Sequence, residues 1–217
     1  MCTPASFVVT KSRVYWSENG DSHELIIREN NLKEQNIRGE VNYVRVEVTP
    51  PCNNYSLPLK IWDYNLDEHL NYTLPTWYDD KKVESRCRFA LKDWVKSNLI
   101  KKGDRTIVDG YIIAYNNSTV EAWGNSTVKA YDNSTVKAYG NSTVKACDNS
   151  TVEAWGNSTV VAYDNSTVKA CGNSTVVAWG NSTVVAYGNS TVKACDNSTV
   201  KAYGNSTVEA WGNSTVV

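Results

Sequence analysis

The chain has little of what most chemistry requires. It contains two histidines, His23 and His69, and neither has a Cys, a Glu or a second His at metal-ligand spacing. Its six cysteines include no Cys-x-x-Cys pair, so no zinc pattern is present. There is no Gly-rich phosphate loop and no nucleophile elbow. Ser and Thr are abundant, but no base stands near enough in sequence to activate one. The expectation is a non-enzyme with no metal and no cofactor.

Long apolar runs are also missing. Nothing approaches membrane-spanning length, and the opening Met1–Val9 is too short and too polar for a signal peptide. Charge of one sign is missing too. Residues 1–114 carry 16 Lys plus Arg against 16 Asp plus Glu, and residues 115–217 carry 6 against 7. Neither part has the electrostatic footprint of a nucleic-acid or anionic-membrane binder. Unpaired cysteines fit a reducing compartment, so the chain is expected in a cytoplasm, or in a virion assembled there.

What is present in quantity is one eight-residue unit, repeated thirteen times from Tyr115 to Val217, the last copy one residue short. Its order is aromatic or Cys, then Gly/Asp/Asn, then Asn-Ser-Thr-Val, then Lys/Glu/Val, then Ala. The second slot is Gly eight times, Asp four times and Asn once. These residues tolerate positive φ, so the slot predicts a left-handed corner, and the Asn-Ser after it supplies side chains that bond to nearby backbone. Thr-Val-x-Ala-aromatic has strand character and period two. Because x is Lys, Glu or Val, it must face water; Val and Ala therefore face inward, and Thr, x and the aromatic slot face outward.

Five extended residues span about 17 Å, so one unit cannot close a coil. Two units predict a flattened sixteen-residue coil; three predict a triangular coil of twenty-four. Cys147, Cys171 and Cys195 recur every twenty-four residues, whereas a core of only Val and Ala suits the thinner coil, and sixteen is the expectation adopted. The expected fold is mainly β: a small α+β head (1–105, hairpin strands plus a helix at about 80–99), a degenerate capping repeat (106–114) and an octapeptide β-solenoid (115–217).

Trp and Cys share the outer slot, and a packed interior would not tolerate that exchange without a void. The slot therefore reads as a surface ladder, or as a binding stripe for a glycan or protein partner comprising Trp123, Tyr131, Tyr139, Trp155, Tyr163, Trp179, Tyr187, Tyr203 and Trp211. The last coil (Thr215, Val216, Val217) has no evident cap, and a bare strand edge is a template for stacking by a second copy. Asn-Ser-Thr is formally a glycosylation acceptor, but its regular recurrence is better explained as turn chemistry.

The string Ala122-Trp123-Gly124-Asn125-Ser126-Thr127-Val128-Lys129-Ala130 resembles the repeats of uncharacterised bacterial and phage proteins of the type Ala-Tyr-Gly-Ser-Ala-Thr-Val-Glu-Ala-Trp. The resemblance covers about half the chain and implies a solenoid without implying an activity. A weaker likeness is to the octapeptides of bacterial ice-nucleation proteins, which implies an ice-binding surface; the Lys, Glu and Val in the x row depart from the flat Thr-x-Thr rows such a surface needs.

In the head, Phe7–Trp16 and Val41–Val48 read as strands, the second ended by Pro50-Pro51. Asn19-Gly20 reads as a hairpin turn with Glu24–Arg28 as the return strand. Asp63, Asn65 and Asp67 match the opening of a calcium loop, but Glu68 stands where Gly belongs and Leu74 where the bidentate Glu belongs. A helix is expected from Asp79 or Asp80, with Val83, Cys87, Ala90, Leu91, Trp94 and Val95 on one face and a stop at Gly103.

Overall fold

The computed structural model describes residues 5–35, 41–67 and 74–217. The chain divides into two compact units, Met1–Ser97 and Asn98–Val217. His69, Glu68 and Cys2 lie outside the described residues.

The first unit holds a four-stranded antiparallel sheet in the order β2-β1-β3-β4, with β1 at Ala5–Thr10, β2 at Val14–Tyr15, β3 at Tyr43–Thr49 and β4 at Asp63–Leu66. Two helices accompany it: α1 (His23–Glu29) and α2 (Asp80–Asn98). Two expectations need correction. Phe7–Trp16 is not one strand, because the chain turns after Thr10, whose N–H donates to Arg13 O at 2.8 Å, and pairs back as β2. Glu24–Arg28 is not a return strand but the body of α1. Ser22 caps that helix by accepting the Leu25 N–H at 3.3 Å, Glu24 lies in its first turn and Arg28 in its last. The Leu25-Ile26-Ile27 run suits either period; the cap and the burial of Ile26 decide for helix.

Helix α2 fits its expected face, with Val83, Cys87, Leu91 and Trp94 buried. It ends at Asn98 rather than Gly103. Gly103, at φ +84°, instead turns the chain between the first two solenoid strands.

The second unit is a β-solenoid with sixteen residues per coil. It begins earlier than the perfect repeats, at β5 (Leu99–Ile100), β6 (Asp104–Val108) and β7 (Tyr111–Ala114). One strand per octapeptide follows: β8 (Thr119–Trp123), β9 (Thr127–Ala130), β10 (Thr135–Ala138), β11 (Thr143–Ala146), β12 (Thr151–Ala154), β13 (Thr159–Ala162) and β14 (Thr167–Ala170). The series ends with β15 (Thr175–Ala178), β16 (Thr183–Ala186), β17 (Thr191–Ala194), β18 (Thr199–Ala202), β19 (Thr207–Ala210) and β20 (Thr215–Val216). Even-numbered strands β6–β20 form one eight-stranded sheet and odd-numbered strands β5–β19 the other. From β7 and β8 onward, pairing is parallel and every residue lies beside its equivalent sixteen positions away, as in Val136↔Val120 and Val136↔Val152. At about 4.8 Å per strand, eight strands extend roughly 34 Å.

The interior is a continuous column of fully buried Val and Ala from Ile112 to Val200. Buried Ser extends this column, as Ser126 through Ser198 are 0 % exposed. Their hydroxyls donate to the carbonyl three residues back, Ser142 Oγ to Tyr139 O at 2.7 Å and Ser158 Oγ to Trp155 O at 2.7 Å. A serine is tolerated in this core because its donor is satisfied locally. All thirteen second-slot residues have positive φ, between Asp132 at +55° and Gly172 at +74°.

Candidate functional site: edge ladders and outer faces

The sixteen-residue coil divides the repeat's outer positions among two edges and two faces. The aromatic slot does not form the single stripe expected from sequence. Trp123, Tyr139, Trp155, Tyr187 and Tyr203 follow the even-numbered strands. Tyr131, Tyr163, Trp179 and Trp211 follow the odd-numbered ones. Nor are all these rings on the surface. Tyr131 is only 8 % exposed, against 44 % for Trp123 and 51 % for Tyr203.

Where neighbours in a row are both aromatic, they can stack. Trp123 and Tyr139 lie at a centroid distance of 4.2 Å with 17° between planes, and Tyr187 and Tyr203 at 5.1 Å with 13°. Stacked rings occupy one another's faces, which are the surfaces a sugar ring would use. Lysines occupy others: Lys169 Nζ lies 5.7 Å from the Trp155 ring centroid and Lys145 Nζ 5.1 Å from that of Tyr163.

The three repeat cysteines, evenly spaced in sequence, fall on different rows. Cys147 and Cys195 follow β11 and β17, and Cys171 follows β14. Each interrupts a run of rings, and burial raises the pKa of Cys147 and Cys171. All are free thiols.

The two corners differ in chemistry, a feature that sequence reading missed. Within the repeats one edge is all glycine, Gly124, Gly140, Gly156, Gly172, Gly188 and Gly204, preceded by Asp109 in the first coil. The other carries Asp132, Asp148, Asp164 and Asp196. The missed signal was arithmetic, since those four aspartates are separated only by multiples of sixteen. On that edge the carboxylate reaches back one coil: Asp148 Oδ2 accepts from Asp132 N–H at 3.3 Å, and Asp196 Oδ2 from Gly180 N–H at 3.1 Å. Beside each corner runs a ladder of side-chain amides, for example Asn157 Nδ2 to Asn141 Oδ1 and Asn173 Nδ2 to Asn157 Oδ1, both 3.4 Å.

The x positions also separate by face. Along the even-numbered sheet they read Glu121, Lys137, Glu153, Lys169, Val185 and Lys201. Along the odd-numbered sheet they read Lys129, Lys145, Val161, Val177, Lys193 and Glu209. The even face thus alternates in sign over four strands, with Lys137 Nζ 3.5 Å from Glu121 Oε1.

Thr215, Val216 and Val217 are exposed, Val217 at 73 %. Strand β20 pairs only with β18, and β19 only with β17, so each is the outer strand of its sheet.

In the head, a cleft of about 490 Å3 is lined by Lys11, Tyr15, Asn31, Lys33, Tyr43 and Trp77, among others. Its lining includes no His, Cys, Asp or Glu. His23 lies elsewhere, with Nε2 3.1 Å from Val46 O and Nδ1 3.2 Å from Asp67 Oδ2. Both ring nitrogens face acceptors, so the ring is a cross-link between α1 and the sheet. Asp63 and Asn65 belong to strand β4 and Asp67 is bound to His23, an arrangement unlike a calcium loop. Among the described residues, no group of three His, Cys, Asp or Glu could hold a metal ion, and no helix is long and apolar enough to cross a membrane. Comparison with protein-family models, with curated proteins and with solved structures yields no match for this chain.

Proposed function

We propose that this chain is a non-enzymatic structural protein: a rigid β-solenoid scaffold that assembles with further copies through the strand edge at Thr215–Val217. The observation that carries this reading is the unbroken Val/Ala/Ser column, in which the interior serves only the stacking of one coil on the next. A repeated coil of this kind spaces whatever is joined to it by a fixed distance. The outer strands β19 and β20 leave backbone donors and acceptors unpaired on one side, and the least buried core-row residues, Val208, Ala210 and Val216, lie beside them. A second copy pairing there would add strands to both sheets.

Light scattering across a hundredfold concentration range under reducing conditions tests this. Mass that grows past two copies with concentration supports edge stacking, and Val216→Lys should abolish growth beyond two. Constant mass of a single chain refutes it.

A second reading, a binding module for a glycan or protein partner, is favoured by the exposure of Trp123, Trp155, Trp179 and Trp211, each between 39 % and 50 %. Binding that disappears in Trp155→Ala with Trp179→Ala would support it. The stacked faces and the charged x rows favour the scaffold over both a sugar platform and an ice-ordering surface. A cytoplasmic or virion setting, and a bacterial or phage source, belong to this same proposal.

A further inference from the structure

We propose that the even-numbered face of the solenoid is a lateral docking surface for a second copy of this chain, related by a two-fold axis that lies in the interface parallel to the strands, between β10 and β12. This surface is separate from the strand edge at Thr215–Val217.

The argument starts from the x row. Glu121, Lys137, Glu153 and Lys169 occupy four consecutive strands of one face in strict alternation. A flat face of a rod can meet a copy of itself by two kinds of in-plane two-fold axis. If the axis runs along the solenoid, each strand faces its own equivalent, so Glu121 meets Glu121 and Lys137 meets Lys137. That arrangement sets like charges opposite and is unfavourable. If the axis runs along the strands, the order of strands reverses while the rows stay aligned. With the axis between β10 and β12, Glu121 meets Lys169 of the other copy and Lys137 meets Glu153. All four charges then find opposite charges, which the symmetry doubles.

The neighbouring rows agree with the same operation. In the aromatic row, Trp123 comes opposite Cys171 and Tyr139 opposite Trp155, so the exposed indole meets the rung at which a ring is missing. One strand further out, β6 comes opposite β16. Thr106 then faces Val185, and Val108, 66 % exposed, faces Tyr187, 40 % exposed. Val108 is largely uncovered in the single chain, and Tyr187, stacked on Tyr203 on one side, is still 40 % exposed. Shifting the axis by one strand, to between β12 and β14, keeps Glu153 opposite Lys169 and brings Glu121 opposite Lys201, but sets Lys137 against Val185, so one lysine in the middle of the row faces an apolar side chain. The odd-numbered face has no such self-complement. The corresponding axes place Lys145 opposite Lys193 or set lysines against Val161 and Val177.

Six strands of about 17 Å at 4.8 Å spacing present roughly 500 Å2 of flat face per copy, below the ~800 Å2 per partner of a standard stable interface. The association is therefore weak and concentration-dependent. Its ion pairs are solvent-accessible, so it weakens as salt rises from about 50 mM to about 500 mM.

The test is sedimentation equilibrium on the full chain from about 1 μM to about 1 mM, the range in which weak interfaces of this size populate. All chains are measured in the Val216→Lys background, which blocks the strand edge, and there the otherwise unaltered chain is expected to approach two copies. E121K/E153K, which makes the row all lysine, should remain a single chain. The quadruple E121K/K137E/E153K/K169E has unchanged net charge and an inverted but again self-complementary row, and should recover the dimer. An otherwise unaltered chain that stays monomeric at low salt, an E121K/E153K chain that dimerises as well as that chain, or a quadruple variant that does not recover each overturns the proposal. Should the all-lysine row impair folding (circular dichroism reports this), Val108→Glu serves in its place. It alters an exposed side chain and should weaken dimerisation at least tenfold. Val216→Lys separates the two surfaces. In that background a remaining dimer supports lateral docking, and a single chain at every concentration refutes it.

Discussion

The carboxylate of Asp148 accepts a hydrogen bond from the backbone N–H of Asp132, sixteen residues earlier, at 3.3 Å. The same slot on the opposite edge is glycine in every octapeptide from Gly124 onward, and a Cβ built on Gly140 would come within 3.1 Å of Gly124 O. The approach is equally close on the aspartate edge, where a Cβ on Gly180 would lie 3.1 Å from Asp164 O, so the edges differ in the residue that fills the slot and not in the space around it. Gly156→Ala, at φ +73° and with its Cβ 3.1 Å from Gly140 O, should cost about 1–2 kcal/mol from the left-handed conformation alone. Asp148→Gly should cost less than 1 kcal/mol, because glycine keeps the corner and loses one exposed hydrogen bond. Chemical denaturation of the two variants compares them; equal losses would contradict the cost assigned to a side chain added at positive φ.

The Val column is thin, and each member touches equivalents above and below. Val160→Ala should destabilise the solenoid by about 2 kcal/mol, the transfer term for two methyl groups plus a residual cavity. Val161→Ala, one residue along but facing out, should change stability by less than 0.5 kcal/mol. The pair checks the assignment of inside and outside.

Burial pushes the Cys87 thiol up to about 12 from its ordinary 9.0. The folded head thus holds this proton where the unfolded chain releases it. By linkage, the stabilisation is complete below pH 9 and is lost as pH rises from 9 towards 12. Unfolding measured from pH 7 to 11 should show this decline, and Cys87→Ala should flatten it. Exposed Cys52 should react with a thiol reagent at pH 8 well before Cys87 does.

His23 joins α1 to the sheet through Val46 O and Asp67. Removing it leaves two buried or half-buried acceptors without this partner, so His23→Ala should destabilise the head by roughly 1–3 kcal/mol. The solenoid unit should be unaffected, which amide exchange of the repeat strands would report.

Trp123 stacks on Tyr139, and Trp123→Ala should cost about 1 kcal/mol in the solenoid from lost stacking and area. A change below 0.3 kcal/mol would mean that the ring serves an interface and not the coil.

The sequence carried more of the solenoid than of the head. The repeat's positive-φ slot, inward Val and Ala and outward x are strictly local properties, dictated by sterics and period two, and each is found as expected. In the head the same reasoning placed α2 but took α1 for a strand. Leu25-Ile26-Ile27 is compatible with both periods, and Asn19-Gly20 is a stronger local signal than the single capping side chain of Ser22. Even within the repeat, Ser was assigned to the turn, although its side chain lies fully inside.

The sequence by itself determined that each octapeptide makes one corner and one strand, because φ preference and side-chain alternation need no distant partner. Only the tertiary structure decided which octapeptides become neighbours. Closing the coil at sixteen residues brings Glu121 beside Lys137, gathers the four repeat aspartates on one edge, divides the aromatics between two rows and separates Cys147, Cys171 and Cys195. That choice depends on the width of a core filled by Val, Ala and Ser across two facing sheets. The all-Val/Ala inward face already favours the thinner coil, and the sixteen-residue coil is found; which rungs meet is settled only when the two sheets close on that core.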